Sequence, residues 1–196
     1  MPVYENERGT YIFNSKDLCM IGHIPEMIDA GIDSFKIEGR MKTALYVATV
    51  ARTYRKAIDD YLKDPKLYEA NMEWYKEEIG KCTYREFTTG FYFGKPGSDA
   101  QIYNSNTYVK NYTYLGTVEE ADGKGRCRIE QKNKFSVGET IEIMKPDGRN
   151  LEVVVKSICD EDGNEQESAP HPKQILWVDL GADVDKYDIL RKKEDN

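Results

Sequence analysis

No run of apolar residues in this 196-residue chain approaches the roughly 18 needed to cross a bilayer, which excludes a membrane-spanning helix. The N-terminus, MPVYENERG, lacks the basic region and apolar core of a secretory signal, so a soluble, cytoplasmic chain with no membrane partner is expected. Cysteine is scarce: Cys19, Cys82, Cys127 and Cys159 are scattered, without a CxxC pair or a dense secreted-type framework, which makes reduced thiols the default. Histidine is scarcer. With only His23 and His171, no Ser/His/Asp, Cys/His or HExxH arrangement can be assembled from motif spacing. A basic excess is missing too. Residues 1–98 carry 14 Lys+Arg against 15 Asp+Glu and residues 99–196 carry 14 against 20, dividing the net charge of −7 into −1 and −6. Neither half advertises a nucleic-acid footprint by net charge, and only local patches are left for that role.

What is present divides the chain in two. With 39% hydrophobic and 32% charged residues, the length leaves room for two modest domains. The first half alternates strands with helices. Thr10–Phe13 is a short β-prone run, followed by turn or cap candidates Ser15 and Asp17. The apolar pattern Leu18, Ile21, Ile24, Met27, Ile28 then predicts a helix ending at Gly31. Ile32–Glu38 alternates, with Phe35 and Ile37 on one side and Ser34, Lys36 and Glu38 on the other, and predicts a strand broken by Gly39. A second helix begins near Thr43, with Ala44, Val47, Ala51, Tyr54, Ile58 and Tyr61 on its apolar stripe and Arg52, Arg55, Lys56 and Asp59 on its polar side. Two consecutive β/α units are the signature of a parallel sheet. They cannot close a barrel by themselves, so the chain is expected to be a C-terminal fragment that needs a missing N-terminal part.

A third helical stretch, Leu67–Ile79, leads into the aromatic, glycine-punctuated segment Arg85–Gly97 and a polar linker over 99–111. Beyond it the period changes. Tyr112–Glu119, Gly125–Gln131, Glu139–Lys145, Leu151–Cys159, Gln174–Asp179 and Tyr187–Arg191 read as strands, separated by turn signals such as Asp122-Gly123, Asp147-Gly148 and Asp162-Gly163. That spacing predicts a small antiparallel β-barrel over 112–193. The fold class is therefore α/β plus all-β, the last β/α units of a TIM-like barrel over 1–98 followed by the β-barrel.

The phrases NSKDLC (Asn14–Cys19), DSFKIEGRMK (Asp33–Lys42) running into YVATVARTYRKAID (Tyr46–Asp59), and FTTGFYFG (Phe87–Gly94) closely resemble the peptidase U32 family, historically called collagenase-like proteases. Three motifs in the family's order cover about the whole chain. The resemblance implies that Cys19 is one ligand of an iron–sulfur cluster in members carrying one, a 4Fe–4S cluster whose other three cysteines lie upstream and are missing here. Among the residues themselves, the plainer alternative for Cys19 is a small buried apolar side chain. The other three cysteines match no such motif.

Lys36, Glu38 and Arg40 form a second constellation. At the C-terminal end of a TIM-like strand, Lys36 and Glu38 would share the inward face, where a cation and a carboxylate bind an anion or move a proton. Arg40, in the following loop, could clamp a carboxylate or phosphate; the alternative is an internal Lys–Glu salt bridge that fills the barrel. Arg52 and Arg55, with Lys56, form a basic helix face suited to phosphate, or a solvated face. Phe87, Phe91, Tyr92 and Phe93 could stack on bases or belong to a core. His23 reads as a cap or solvent residue.

The resemblance implies a parent enzyme, an iron–sulfur-dependent tRNA uridine hydroxylation protein with prephenate as a candidate anionic partner metabolite; this fragment alone is expected to be inactive. The alternatives are a metal-independent, collagenase-like peptidase and a non-catalytic RNA- or protein-binding module.

Overall fold

The computed structural model describes residues 4–7, 9–11, 15–103 and 108–194. The chain forms two compact units, one from residues 1–40 and 53–110 and the other from residues 41–52 and 111–196.

In the first unit, β1 (Tyr4–Asn6) and β2 (Gly9–Tyr11) pair antiparallel. The expected β run at Thr10–Phe13 meets β2 in part; Ile12, Phe13 and Asn14 lie outside the described residues. β3 (Asp17–Leu18) pairs in parallel with β4 (Phe87–Thr88), and this two-residue ladder is the parallel pairing found among the described residues of the unit. A 3-10 turn over Ile21–His23 leads into α1 (Ile24–Asp29), where Pro25 sits in the first turn and its missing N–H leaves no bond unmade. The helix buries Ile24 and Met27, and Gly31 follows at φ +76°.

The predicted strand Ile32–Glu38 is not one. Its alternation survives in burial, with Phe35 and Ile37 half-buried and Lys36, Glu38 and Arg40 exposed, but no described residue pairs with it. A strand is defined by its ladder, and a period-2 pattern without a neighbour to hydrogen-bond remains irregular.

α2 (Ala44–Lys63) lies where a helix is expected, but it buries a different face: Leu45, Val50, Arg52, Thr53, Ala57 and Asp60 are buried, whereas Ala44, Val47 and Ala51 of the expected apolar stripe are exposed and Tyr54, Ile58 and Tyr61 are half-buried. Thr43 Oγ1 accepts a bond from the Tyr46 N–H at 3.3 Å at its start. The single helix expected over Leu67–Ile79 is instead two, α3 (Pro65–Ala70) and α4 (Met72–Ile79), separated at Asn71. Asp64 caps α3 by accepting from the Lys66 N–H at 3.0 Å. The core of this unit contains Met20, Ile21, Ile24, Ala57, Ile79 and Cys82 around the stacked rings of Tyr68 and Tyr75, 5.7 Å apart. Asp60 anchors them: it accepts from Tyr75 Oη at 2.5 Å and Asn71 Nδ2 at 2.9 Å, and pairs with Lys56 Nζ at 2.9 Å.

The second unit is antiparallel, as its spacing predicts. β5 (Tyr112–Ala121), β6 (Arg126–Glu130), β7 (Thr140–Met144), β8 (Asn150–Val154), β9 (Ser157–Cys159), β10 (Glu165–Gln166), β11 (Ile175–Asp179) and β12 (Ile189–Lys193) form one sheet in the order β10-β9-β11-β6-β5-β12-β7-β8. The predicted run Leu151–Cys159 is divided because the chain changes partners. Val155 N–H still bonds Glu139 O beside β7, while Lys156 N–H already bonds Asp179 O of β11. One face of the sheet buries Leu115, Val118, Ile129, Phe135, Ile143, Ile158, Leu176 and Leu190 in a continuous apolar cluster. A close approach of turns explains Gly125, at φ +101°: a Cβ there would meet Gly181 Cα at 2.8 Å.

Charged groups are buried in this unit with partners. Lys145 reaches Asp185 at 2.8 Å and Asp188 at 3.0 Å. Arg191 holds Glu142 through Nε at 2.6 Å, with its guanidinium 5.2 Å from the Tyr112 ring.

Candidate functional site

Cys19 follows β3 directly, and its N–H donates to Thr88 O of β4 at 2.9 Å. The strand pair is knitted by Asp17, which accepts from the Arg85 backbone N–H and Nε, each at 2.9 Å. Tyr54, projecting from α2, works on both sides of the cysteine. Its Oη accepts from the Met20 N–H at 2.8 Å, and its hydroxyl donates to Cys19 Sγ at 3.7 Å. Burial pushes the Cys19 thiol up, opposed by a backbone hydrogen bond from Ile21 and by Tyr54. The net effect keeps the sulfur protonated, unlike an activated nucleophile.

Helical periodicity places Tyr54 on an apolar stripe, and nothing local marks it as a thiol's partner 35 residues away. Asp17 and Arg85 were equally invisible as a pair, because 68 residues separate them.

Lys36, Glu38 and Arg40 come together locally. Lys36 Nζ lies 3.7 Å from Glu38 Oε2, and the Arg40 backbone N–H donates to Glu38 Oε1 at 3.1 Å. The Lys36 and Glu38 side chains are 87% and 71% exposed, so the pair stands in solvent and its mutual attraction is weak. No hydrogen bond or ion pair joins this trio to Cys19 among the described residues. Arg55 is exposed and pairs with Asp59 through Nε at 2.9 Å. Arg52 is 8% exposed. Its Nη1 donates to Lys145 O at 2.8 Å, Asn150 Oδ1 at 3.0 Å and Arg149 O at 3.3 Å, so its charge secures the turn between β7 and β8. His23 makes no capping bond; its Nδ1 lies 3.1 Å from Glu26 Oε1, which holds that carboxyl below the usual range, and its ring packs 4.5 Å from Phe93.

Among the described residues, which include all four cysteines and both histidines, no three His, Cys, Asp or Glu side chains converge to hold a metal ion. The residues present therefore do not form a four-thiolate cradle; Cys19 offers one thiol. Cys82, Cys127 and Cys159 are buried. No helix is long and apolar enough to cross a membrane among the described residues. In the second unit, a hollow of about 480 Å³ is lined by Lys134, Ser136, Val137, Glu167 and Ser168, none of them a sequence candidate.

The model of peptidase family U32 matches residues 3–102, and that of the U32 C-terminal domain matches residues 110–191. A tRNA hydroxylation protein P1 of Bacillus subtilis is 38% identical over 191 residues, which is 97% of this chain and 45% of that protein. A tRNA hydroxylation protein P of Escherichia coli is 33% identical over 194 residues, 98% of this chain and 42% of that protein. A protein named collagenase, from Porphyromonas gingivalis, is 41% identical over 129 residues, 61% of this chain and 31% of that protein. The chain thus spans less than half the length of these relatives.

Proposed function

The chain belongs to peptidase family U32, and from that premise we propose that it serves in hydroxylation of a tRNA uridine rather than in peptide hydrolysis. The observation that carries this reading is coverage. Two relatives named for tRNA hydroxylation align with 97% and 98% of the chain, whereas relatives with peptidase names align with less of it, an uncharacterized protease of Methanocaldococcus jannaschii with 76% and the collagenase with 61%.

In this reading Cys19 contributes one thiolate to an iron–sulfur cluster, and the other three ligands come from outside this chain. Lys36 and Arg40 present cations to an anionic metabolite such as prephenate, and Glu38, which bonds to both residues, orients them and holds or moves a proton. Arg55 contacts RNA phosphate. Arg52 positions the β7–β8 turn.

The test is tRNA hydroxyuridine content, read by mass spectrometry, in cells whose own gene is replaced by variants of the full-length protein. Glu38→Gln is expected to lower the modification on the order of a hundredfold, and Lys36→Ala to lower it as well, with protein levels unchanged. Wild-type hydroxyuridine in both variants would overturn the assignment of the trio. Cleavage of gelatin by the purified full-length protein, lost in the same variants, would favour the peptidase reading instead.

A further inference from the structure

We propose that the loop Phe91–Tyr92–Phe93 is a stacking platform for unpaired bases of single-stranded RNA, an inference that rests on the tRNA reading above. Three consecutive aromatic side chains are 77%, 58% and 60% exposed there, beside Leu18, which is also largely exposed. A chain rarely leaves such a run of apolar surface in water without a use for it.

The loop is built rather than merely exposed. Gly90 N–H bonds Thr88 Oγ1 at 3.2 Å, Tyr92 N–H bonds Thr89 O at 3.3 Å, and Gly94 N–H bonds Phe91 O at 3.3 Å. Gly90 at φ +59° and Gly94 at φ +123° supply backbone angles that other residues rarely adopt. A Cβ on Gly90 would also press to 3.2 Å from Leu18 Cδ1. Phe93 is steadied by the His23 ring at 4.5 Å, so its orientation is partly fixed before any ligand arrives.

Local charge is compatible with an RNA occupant. From Phe87 through Ser98 there is no Asp or Glu in a chain that holds 35, and the single cation of the stretch, Lys95, has no carboxylate partner among the described residues. A phosphate at the loop meets the ammonium of Lys95 within a stretch bounded by the carboxylates of Glu86 and Asp99, while the aromatic faces accept bases of any identity. The loop leaves β4 just after Thr88, whose carbonyl accepts the Cys19 N–H. A base stacked on Phe91 or Tyr92 is therefore held on the element that flanks the candidate cluster ligand.

The experiment measures anisotropy of a fluorescent anticodon stem–loop RNA, with unmodified uridine at the wobble position, titrated with this 196-residue chain. Phe91→Ala and Tyr92→Ala are each expected to weaken binding roughly 5- to 150-fold, the range for loss of one stacked base. Phe91→Leu keeps apolar area without a π face and is expected to lose as much as Phe91→Ala; Phe91→Trp is expected to retain affinity. Lys95→Gln is expected to weaken binding and lower the salt slope by about one. Because the replaced side chains are exposed, far-ultraviolet circular dichroism melts should be unchanged. Wild-type affinity in the Phe91→Ala/Tyr92→Ala double variant overturns the platform and leaves the tRNA reading intact. Absence of RNA binding by the wild-type chain also overturns it, and the hydroxyuridine content of the full-length variants judges the tRNA reading separately. An unchanged RNA affinity accompanied by a dimer-to-monomer change in Phe91→Ala identifies a protein interface and overturns it too.

Discussion

Cys127 has no exposed surface, and burial, with smaller contributions from Asp188, Asp122 and Asp179, pushes its thiol from an ordinary 9.0 up to about 12. The folded chain therefore holds this proton more tightly than the unfolded chain does. The resulting stability is complete below pH 9 and is lost as pH rises towards 12, amounting to about 1.4 kcal/mol by pH 10. Urea midpoints at pH 8 and pH 10 check this: wild type is expected to fall further between the two than Cys127→Ala, which is less stable at both. Equal falls would show that the thiol is not responsible. At this scale the sequence was legible for type and not for partner. That Cys82, Cys127 and Cys159 belong to no motif was read from the sequence, which left core and surface both open; folding buries all three. That Tyr54 hydrogen-bonds Cys19, or that Asp17 takes two bonds from Arg85, depends on chain segments brought together by folding, and no local pattern encodes it.

Elements were read well where pattern and ladder coincide. The strands of the second unit recur close to their expected positions because alternation, turn glycines and a shared apolar face all demand the same register. Ile32–Glu38 shows the opposite case, where alternation exists without a hydrogen-bonded neighbour. Helix α2 shows a third. Its extent was legible and its faces were not: Val47 and Ala51 of the expected apolar stripe are exposed and Arg52 of the expected polar side is buried, because polarity on a helix does not say whether the partner is water, phosphate or a carbonyl. Arg52 sits 93 residues before the Lys145 carbonyl it bonds. Removing the three bonds of its Nη1 is expected to cost about 2–3 kcal/mol, since bonds to a charged donor exceed neutral ones and the carbonyls left behind are shielded from water. Arg52→Ala should lower the urea midpoint of the second unit without changing RNA affinity, whereas Arg55→Ala should leave the unfolding free energy within about 0.5 kcal/mol of wild type. A stable Arg52→Ala protein with weakened RNA binding would reverse the two roles.

For the whole molecule, the spatial division redraws the charge map. Cut at residue 98, the chain seemed nearly neutral in one half and acidic in the other. Grouped by compact unit, residues 1–40 and 53–110 carry 13 Lys+Arg against 16 Asp+Glu, and the remaining residues 15 against 19, so the units carry −3 and −4. The acidic character is shared, and any attraction to nucleic acid has to come from acid-free patches rather than from either unit's net field. The order of the eight-stranded sheet has one further consequence, concerning how the protein keeps to itself. β8 ends the sheet with a single ladder neighbour, β7, and turns Leu151 and Val153 towards the core while Glu152 and Val154 stay exposed. Such a border invites strand-to-strand growth, and Glu152, in the middle of β8 and opposite Glu142, places a carboxylate where an incoming copy would have to match it with its own. Replacing it, Glu152→Val, is expected to give a chain that folds yet forms thioflavin-positive fibres at concentrations where wild type stays clear. A clear Glu152→Val solution would show that something other than this charge guards the edge. In this light Glu152 is expected to act as a gatekeeper against self-templating, a guard written into one strand.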